Sequence, residues 1–206
     1  MKTNFPIFFV FIFIIKLKFM DNIDIFITAF KPFEEFVKND IYKVVCVKDY
    51  TYEGKLKSYS DNVGDNISTM NDFFNELTVF YWVWKNYEMK DYVGMCSYRR
   101  YFDFFDDIDF IKYYLKDYDI ILPLGTTTNN INNLEQYDTC HNINDLMLAL
   151  TILLEKYPSY KDDVDFVLHT NELYANNMFI MKKEDYIKYC EFLFDILFEY
   201  LKQKRF

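Results

Sequence analysis

The sequence predicts an α/β fold, a mostly parallel sheet flanked by helices in a single domain, and three observations carry that prediction. Strand-length apolar runs alternate along the chain with stretches of helical periodicity. Glycine and proline number only four each in 206 residues. So few turn-breakers argue against a sandwich or barrel of many short strands and favour a helix-rich α/β or α+β chain. The third observation is the layout of residues 61–102, where a polar loop, an amphipathic helix and a short apolar run lead to Arg99-Arg100, as in a βαβ-type ligand site.

In chain order, IDIFITAF at 23–30 reads as the first strand, ended by KPF because proline cannot continue a central ladder. IYKVVCV at 41–47 is the second, and the two would begin a parallel sheet. Residues 48–68 are polar, hold Gly54 and Gly64, and read as a loop. A helix capped by Ser68 or Asn71 follows. Phe73, Phe74, Leu77, Phe80, Tyr81 and Trp84 form its core stripe at a 3.6-residue period, while Glu76, Lys85 and Asn86 fall elsewhere.

YVGMCS at 92–97 is a buried strand whose Gly94 marks a close approach. A helix over 108–115, a strand at 119–123 and a long polar run at 124–142 come next. Helices are expected at 144–157, closed by Pro158, and more weakly at 159–170. A strand at 177–182 leads into the last long helix, at 184–204.

Residues 1–20, MKTNFPIFFVFIFIIKLKFM, stand apart from a domain at 21–206. Their apolar core is about half the ~20 residues that a spanning helix needs. It is similar to the apolar region of a signal peptide, with Lys2 before it. No small-residue cleavage site follows, and Lys16 and Lys18 stand where one would be. A dispensable extension, an uncleaved anchor giving peripheral membrane association through residues 5–19, and a start at Met20 are the three readings.

The net charge of −9 leaves no general basic face for a nucleic-acid backbone, so nucleic acid is not an expected partner. Cys46, Cys96, Cys140 and Cys190 are widely spaced and lack a CxxC, which reads as free thiols in a reducing, cytoplasmic setting. Only three arginines occur against twenty lysines, and two of them are adjacent where an apolar run stops. A guanidinium offers a planar fork that grips phosphate or carboxylate through two hydrogen bonds. The competing reading is a structural ion pair with some of the many aspartates.

Six stretches taken together carry a resemblance: ITAFKPF, DNVGDNIS, ELTVFYWVWKN, YVGMCSYRRYF, YDIILP and NNMFIMKKEDYIKYCEFLFDIL. In this order they resemble the family known as domain of unknown function 4422, over about residues 23–200. Its members are similar to glycosyltransferases and often occur in capsular or surface polysaccharide biosynthesis. Two departures stand out: Ser97 replaces the histidine of an HYRRY motif, and the segment that usually follows the last helix is missing, so the chain is expected to be cut short.

The resemblance implies a GT-A-like, Rossmann-like fold that binds a nucleotide-sugar donor across the strand ends, with a glycan or lipid-linked acceptor. It implies donor contacts at Thr28, Asp61, Asp65, Asn66, Tyr98, Arg99, Arg100, His141 and Asn177. Asp61, Asp65 and Asn66 are candidates for ribose or sugar hydroxyls, or else simply cap the helix that follows. Asn177-Met178-Phe179 is similar to an Asn-x-Gly turn without its glycine. Many such enzymes end a strand in Asp-x-Asp, which holds Mn or Mg on the diphosphate; here the matching strand ends in Tyr98-Arg99-Arg100, whose guanidiniums would neutralise a leaving diphosphate, making metal optional. Asp117-Tyr118-Asp119 precedes its strand and reads as a connection, and His169 as structural. No acidic residue stands at a spacing diagnostic of a catalytic base. A glycosyltransferase, or a truncated glycan- or nucleotide-binding relic of the same fold, are the two expected functions.

Overall fold

The computed structural model describes residues 22–37, 39–103, 107–128, 130–174 and 176–204. The segment 1–20, with its expected anchor and alternative start, lies outside them. The chain groups into two compact units, one from Met1–Leu122 with Met178–Ile187 and the other from Pro123–Asn177 with Lys188–Phe206.

The first unit is built on strands β1 (Ile23–Ala29), β2 (Tyr42–Cys46), β3 (Lys57–Ser60), β4 (Tyr92–Ser97) and β5 (Ile120–Ile121), joined by a late strand at Phe179–Lys182. That late strand, numbered β8 in chain order, runs antiparallel between β4 and β5, while β1, β2, β3 and β4 pair in parallel, giving the order β3-β2-β1-β4-β8-β5. The sheet is mostly parallel, as predicted. Every residue of β1 is buried, which is why its sequence is a nearly continuous apolar run.

The polar residues within β1 are Thr28 and Asp24, and Asp24 is fully buried. It is bonded to Lys43 Nζ, to Lys90 Nζ at 3.1 Å and to the Tyr87 hydroxyl at 2.8 Å. Three convergent donors make a buried carboxylate tolerable, and they tie β1 to β2 and to the segment before β4. Burial, followed by the bond to Asp24, pushes the Tyr87 phenol well above its ordinary range.

Helices cover the sheet. Ile23, Ile25 and Ile27 share a core cluster with Ile108 and Ile111 of α3 (Ile108–Tyr114), itself capped by Asp107, which accepts from Phe110 N–H at 2.9 Å. Phe26, which alternation turns the other way, meets the Tyr87 ring edge-on at 4.8 Å. Phe80 of α2 (Leu77–Asn86) meets Phe179 edge-on at 5.5 Å and accepts through its carbonyl from the Tyr186 hydroxyl at 2.9 Å.

Three expectations about this unit need correction. The loop expected over 48–68 contains β3, a strand whose polar KSYS sequence carries no apolar signal because it lies at the sheet's edge. The helix expected to run unbroken through Phe73 and Trp84 is split at Asn75, where φ is 48°, into α1 (Asn71–Phe74) and α2. The split takes Phe73 off the core stripe and leaves it 57% exposed. Neither Ser68 nor Asn71 caps through its side chain; Asn66 does the local work, its Oδ1 accepting from Ser68 Oγ at 2.8 Å and from Ser68 N–H at 3.2 Å.

The second unit contains the two-stranded ribbon of β6 (Thr126–Thr127) and β7 (Glu172–Leu173). Its helices are α4 (Asn133–Cys140), α5 (Ile143–Lys156), α6 (Lys161–His169) and the greater part of α7 (Lys183–Gln203). Helix α4 falls inside the long polar run and is started by a capping box, in which Asn132 and Glu135 each bond the other's backbone N–H. On α7, Asp195 accepts from Lys156 Nζ at 2.8 Å and the Tyr157 hydroxyl at 2.9 Å. Among the described residues no helix is long and apolar enough to cross a membrane.

Candidate functional site

Strand direction decides where a ligand can meet the sheet. The parallel order β3-β2-β1-β4 reverses at β1, with β2 on one side and β4 on the other. Open α/β sheets bind ligands outside the carboxyl ends of their strands at such a switch point. In this chain the register sets Thr28 beside Ser97, and Tyr98 N–H donates to the Thr28 carbonyl at 3.1 Å, carrying the pairing past the end of β4.

Beyond β4 the chain turns at once. Arg100 N–H donates to the Ser97 carbonyl at 3.0 Å, and Arg99 N–H reaches Ser97 Oγ at 3.3 Å. This turn fixes the backbone beneath both arginines while their side chains stay exposed. Among the described residues neither guanidinium is in an ion pair with a carboxylate.

Tyr98 is the ring around which the turn is organised. It is 5% exposed, and the Arg99 Cζ lies 5.4 Å from its centroid. Lys31 Nζ lies 5.8 Å from the same centroid and 5.9 Å from that of Phe30, whose ring meets Tyr98 edge-on at 5.1 Å. A cation over an exposed aromatic face is worth about 0.5–1 kcal/mol, enough to bias where each head group sits. The Tyr98 hydroxyl and the Thr28 hydroxyl are both buried and find no hydrogen-bond partner among the described residues.

The connection after β3 holds the acidic and amide candidates. Asp61 N–H donates to the Cys46 carbonyl at 2.9 Å, Asp61 Oδ1 accepts from Lys48 N–H at 2.8 Å, and Oδ2 accepts from the Thr78 hydroxyl at 2.7 Å. Both of its oxygens are thus spent on joining β2 to α2, and burial pushes its carboxyl pKa up despite those bonds. Asp65 is exposed; its Oδ1 accepts from the Tyr81 hydroxyl at 3.1 Å, and Asn86 grips its backbone on both sides at 2.7 and 2.9 Å. Gly64 sits at φ +66°, and a Cβ there would collide with Asn86 Oδ1. Asn66 is half-buried and serves Ser68.

His141 and Asn177 belong to the second unit. His141 is the exposed residue closing α4, its ring 4.8 Å from that of Tyr137. Asn177 is exposed and directly precedes the segment leading into β8. Burial pushes the Cys46 and Cys96 thiols up, so neither is poised as a thiolate.

The donor set here does not fit a divalent metal. β4 ends in serine, tyrosine and arginine instead of carboxylates, and among the described residues no group of three His, Cys, Asp or Glu stands together. Asp117-Tyr118-Asp119 connects α3 to the amino end of β5, where Asp119 pairs with Lys182 at 2.9 Å. Since β5 runs parallel to β4, that end lies at the sheet edge opposite the switch point.

Sequence reasoning passed over Lys31, Thr78 and Asn86. Lys31 was absorbed into the strand-ending KPF, and Thr78 and Asn86 lack any periodic signal because they bond to the loop before their helix. Gly94 does mark a close approach, though by side chains: a Cβ would lie 2.8 Å from Ile25 and 3.1 Å from Ile180.

Among solved structures, the apo form of WbbM, described as a bifunctional glycosyltransferase, is similar to this chain with a TM-score of 0.78 and 27% identity. The match covers 90% of this chain and 38% of that one, so the chain spans well under half the length of its structural relative. No curated protein matches the sequence. A sequence family described as a domain of unknown function matches residues 24–206. Most of the sequence, including β4, the arginine turn and all of β1 but Ile23, lies within that match, and the chain therefore belongs to the DUF4422 family.

Proposed function

We propose that this chain carries the donor-binding end of a glycosyltransferase, which moves a sugar from a nucleotide-sugar to a glycan or lipid-linked acceptor in polysaccharide biosynthesis. One observation carries the reading: Arg99 and Arg100 stand exposed at the carboxyl end of β4, at the switch point, without a carboxylate partner among the described residues. The likeness to a bifunctional glycosyltransferase supports it.

Sugar transfer breaks the bond between the anomeric carbon and a phosphate oxygen, and negative charge gathers on the departing diphosphate. Groups already aimed at that charge lower the barrier most, because no reorganisation is needed when it appears. The hydrogen-bonded turn fixes the backbone that carries both arginines to that end of the strand, and a guanidinium fork matches two phosphate oxygens. Asp65 and Asn66, on the same carboxyl edge, are proposed contacts for ribose or sugar hydroxyls. Asp61 is proposed to position them through the β2 to α2 bridge. Free cysteines support a reducing, cytoplasmic setting.

Ser97 favours a second reading, binding without turnover. It stands where the family's motif has histidine, and a serine hydroxyl cannot exchange a proton near neutral pH as imidazole does. Incubating the protein with a panel of nucleotide-sugars and following free nucleoside diphosphate by mass spectrometry separates the two. Release or transfer that depends on the arginines supports the enzyme; binding with no release supports the binding module.

A further inference from the structure

The Tyr98 ring gathers more positive charge than an arginine pair. Arg99 and Lys31 lie 5.4 and 5.8 Å from its centroid, Arg100 follows in the same turn, and all three side chains are exposed. Among the described residues none of these cations has a carboxylate partner. A chain with 32 acidic residues and a net charge of −9 has no shortage of carboxylates to neutralise them. An uncompensated cluster in such a chain is an anion site in electrostatic terms. Independently, the buried hydroxyls of Tyr98 and of Thr28, which the register pairs with the neighbouring Ser97, have no hydrogen-bond partner among the described residues.

We propose that Lys31 is a binding residue for the diphosphate of the donor, acting with Arg99 and Arg100 where related folds use a divalent metal, and that Tyr98 positions Lys31 and Arg99. This rests on the donor-binding reading above and adds a residue and a charge rule to it. A diphosphate spreads its charge over two phosphorus centres. The guanidinium forks serve one through paired hydrogen bonds, and the ammonium serves the other as a point charge. Among the described residues no group of three metal-ligating side chains stands at the end of β4, and the three cations supply the charge that a metal would bring.

Calorimetric titration of the full chain with inorganic pyrophosphate and with UDP, in EDTA, tests this. Wild-type protein is expected to bind both. Lys31→Ala and Lys31→Gln should each weaken binding about tenfold and flatten its salt dependence. Lys31→Arg should stay within about threefold of wild type, and Lys116→Ala, which removes another exposed lysine, should change nothing. Tyr98→Leu, which removes the ring beneath Arg99 and Lys31, should weaken pyrophosphate binding and flatten its salt dependence. If Arg99→Ala/Arg100→Ala abolishes binding while Lys31→Ala leaves affinity and salt slope unchanged, Lys31 has no such role and the donor-binding reading stands. Binding that appears only with added Mg or Mn overturns the charge rule. If wild-type protein binds neither probe under any condition, the donor-binding reading itself fails.

Discussion

Thr78 donates its hydroxyl to Asp61 Oδ2 at 2.7 Å, and neither side chain is exposed to solvent. With Lys48 N–H on the other oxygen, the bond fixes the carboxyl ends of β2 and β3 against α2. Thr78→Val leaves a buried carboxylate oxygen without its donor and should destabilise by about 1–3 kcal/mol, read from urea unfolding.

Asp61 also gives stability a pH signature. Burial raises its folded pKa above the ordinary carboxylate value, so the folded state holds this proton more tightly than the unfolded chain. Its contribution is fullest below the unfolded pKa, about 4, and is lost as pH rises through the folded one. Asp61→Asn keeps an acceptor for Lys48 N–H and cannot ionise, so wild type should lose stability relative to Asp61→Asn as pH rises from about 4 through the raised folded pKa. Parallel stability curves would contradict this.

Asp24 and Lys43 form a buried pair with unequal reserves. Removing the carboxylate in Asp24→Ala leaves the buried Lys43 without its counter-charge, its Nζ held by the Asp40 carbonyl at 2.9 Å, and should cost about 3–5 kcal/mol. Lys43→Met should cost less, because Lys90 and the Tyr87 hydroxyl remain on Asp24 at 3.1 and 2.8 Å. Denaturant melts of the two variants give the order directly.

Gly64 and Asn86 are coupled by the left-handed backbone at φ +66°. Gly64→Ala should destabilise by about 1–3 kcal/mol from backbone strain and the collision with Asn86. Asn86→Ala should lose about 1–2 kcal/mol through its bonds to Asp65. The double variant should cost less than the two together, since the collision vanishes with the side chain.

How much of this was legible in the sequence depended on burial. β1, β2 and β4 were readable because burial on both faces writes an apolar run, and the arginine turn because scarce arginines stood where such a run stopped. β3 was invisible because an edge strand needs no apolar pattern, although its end carries Asp61. The break at Asn75 was hidden because the apolar spacing of Phe73 and Phe74 continued across it. The capping box of Asn132 and Glu135 was present in the sequence and marks α4. Lys31 was unreadable as a site residue: only folding brings it to the Tyr98 ring, sixty-odd positions away in sequence.

The measurement that bears most directly on the central claim is titration of nucleoside diphosphates into wild-type protein and into Arg99→Ala/Arg100→Ala, with thermal unfolding of both as a control. Exposed side chains should leave stability within about 0.5 kcal/mol. The twin guanidiniums should account for at least about a tenfold loss of affinity. Equal affinity in the two proteins, or no binding of any nucleoside diphosphate by wild type, would contradict a diphosphate site at the end of β4.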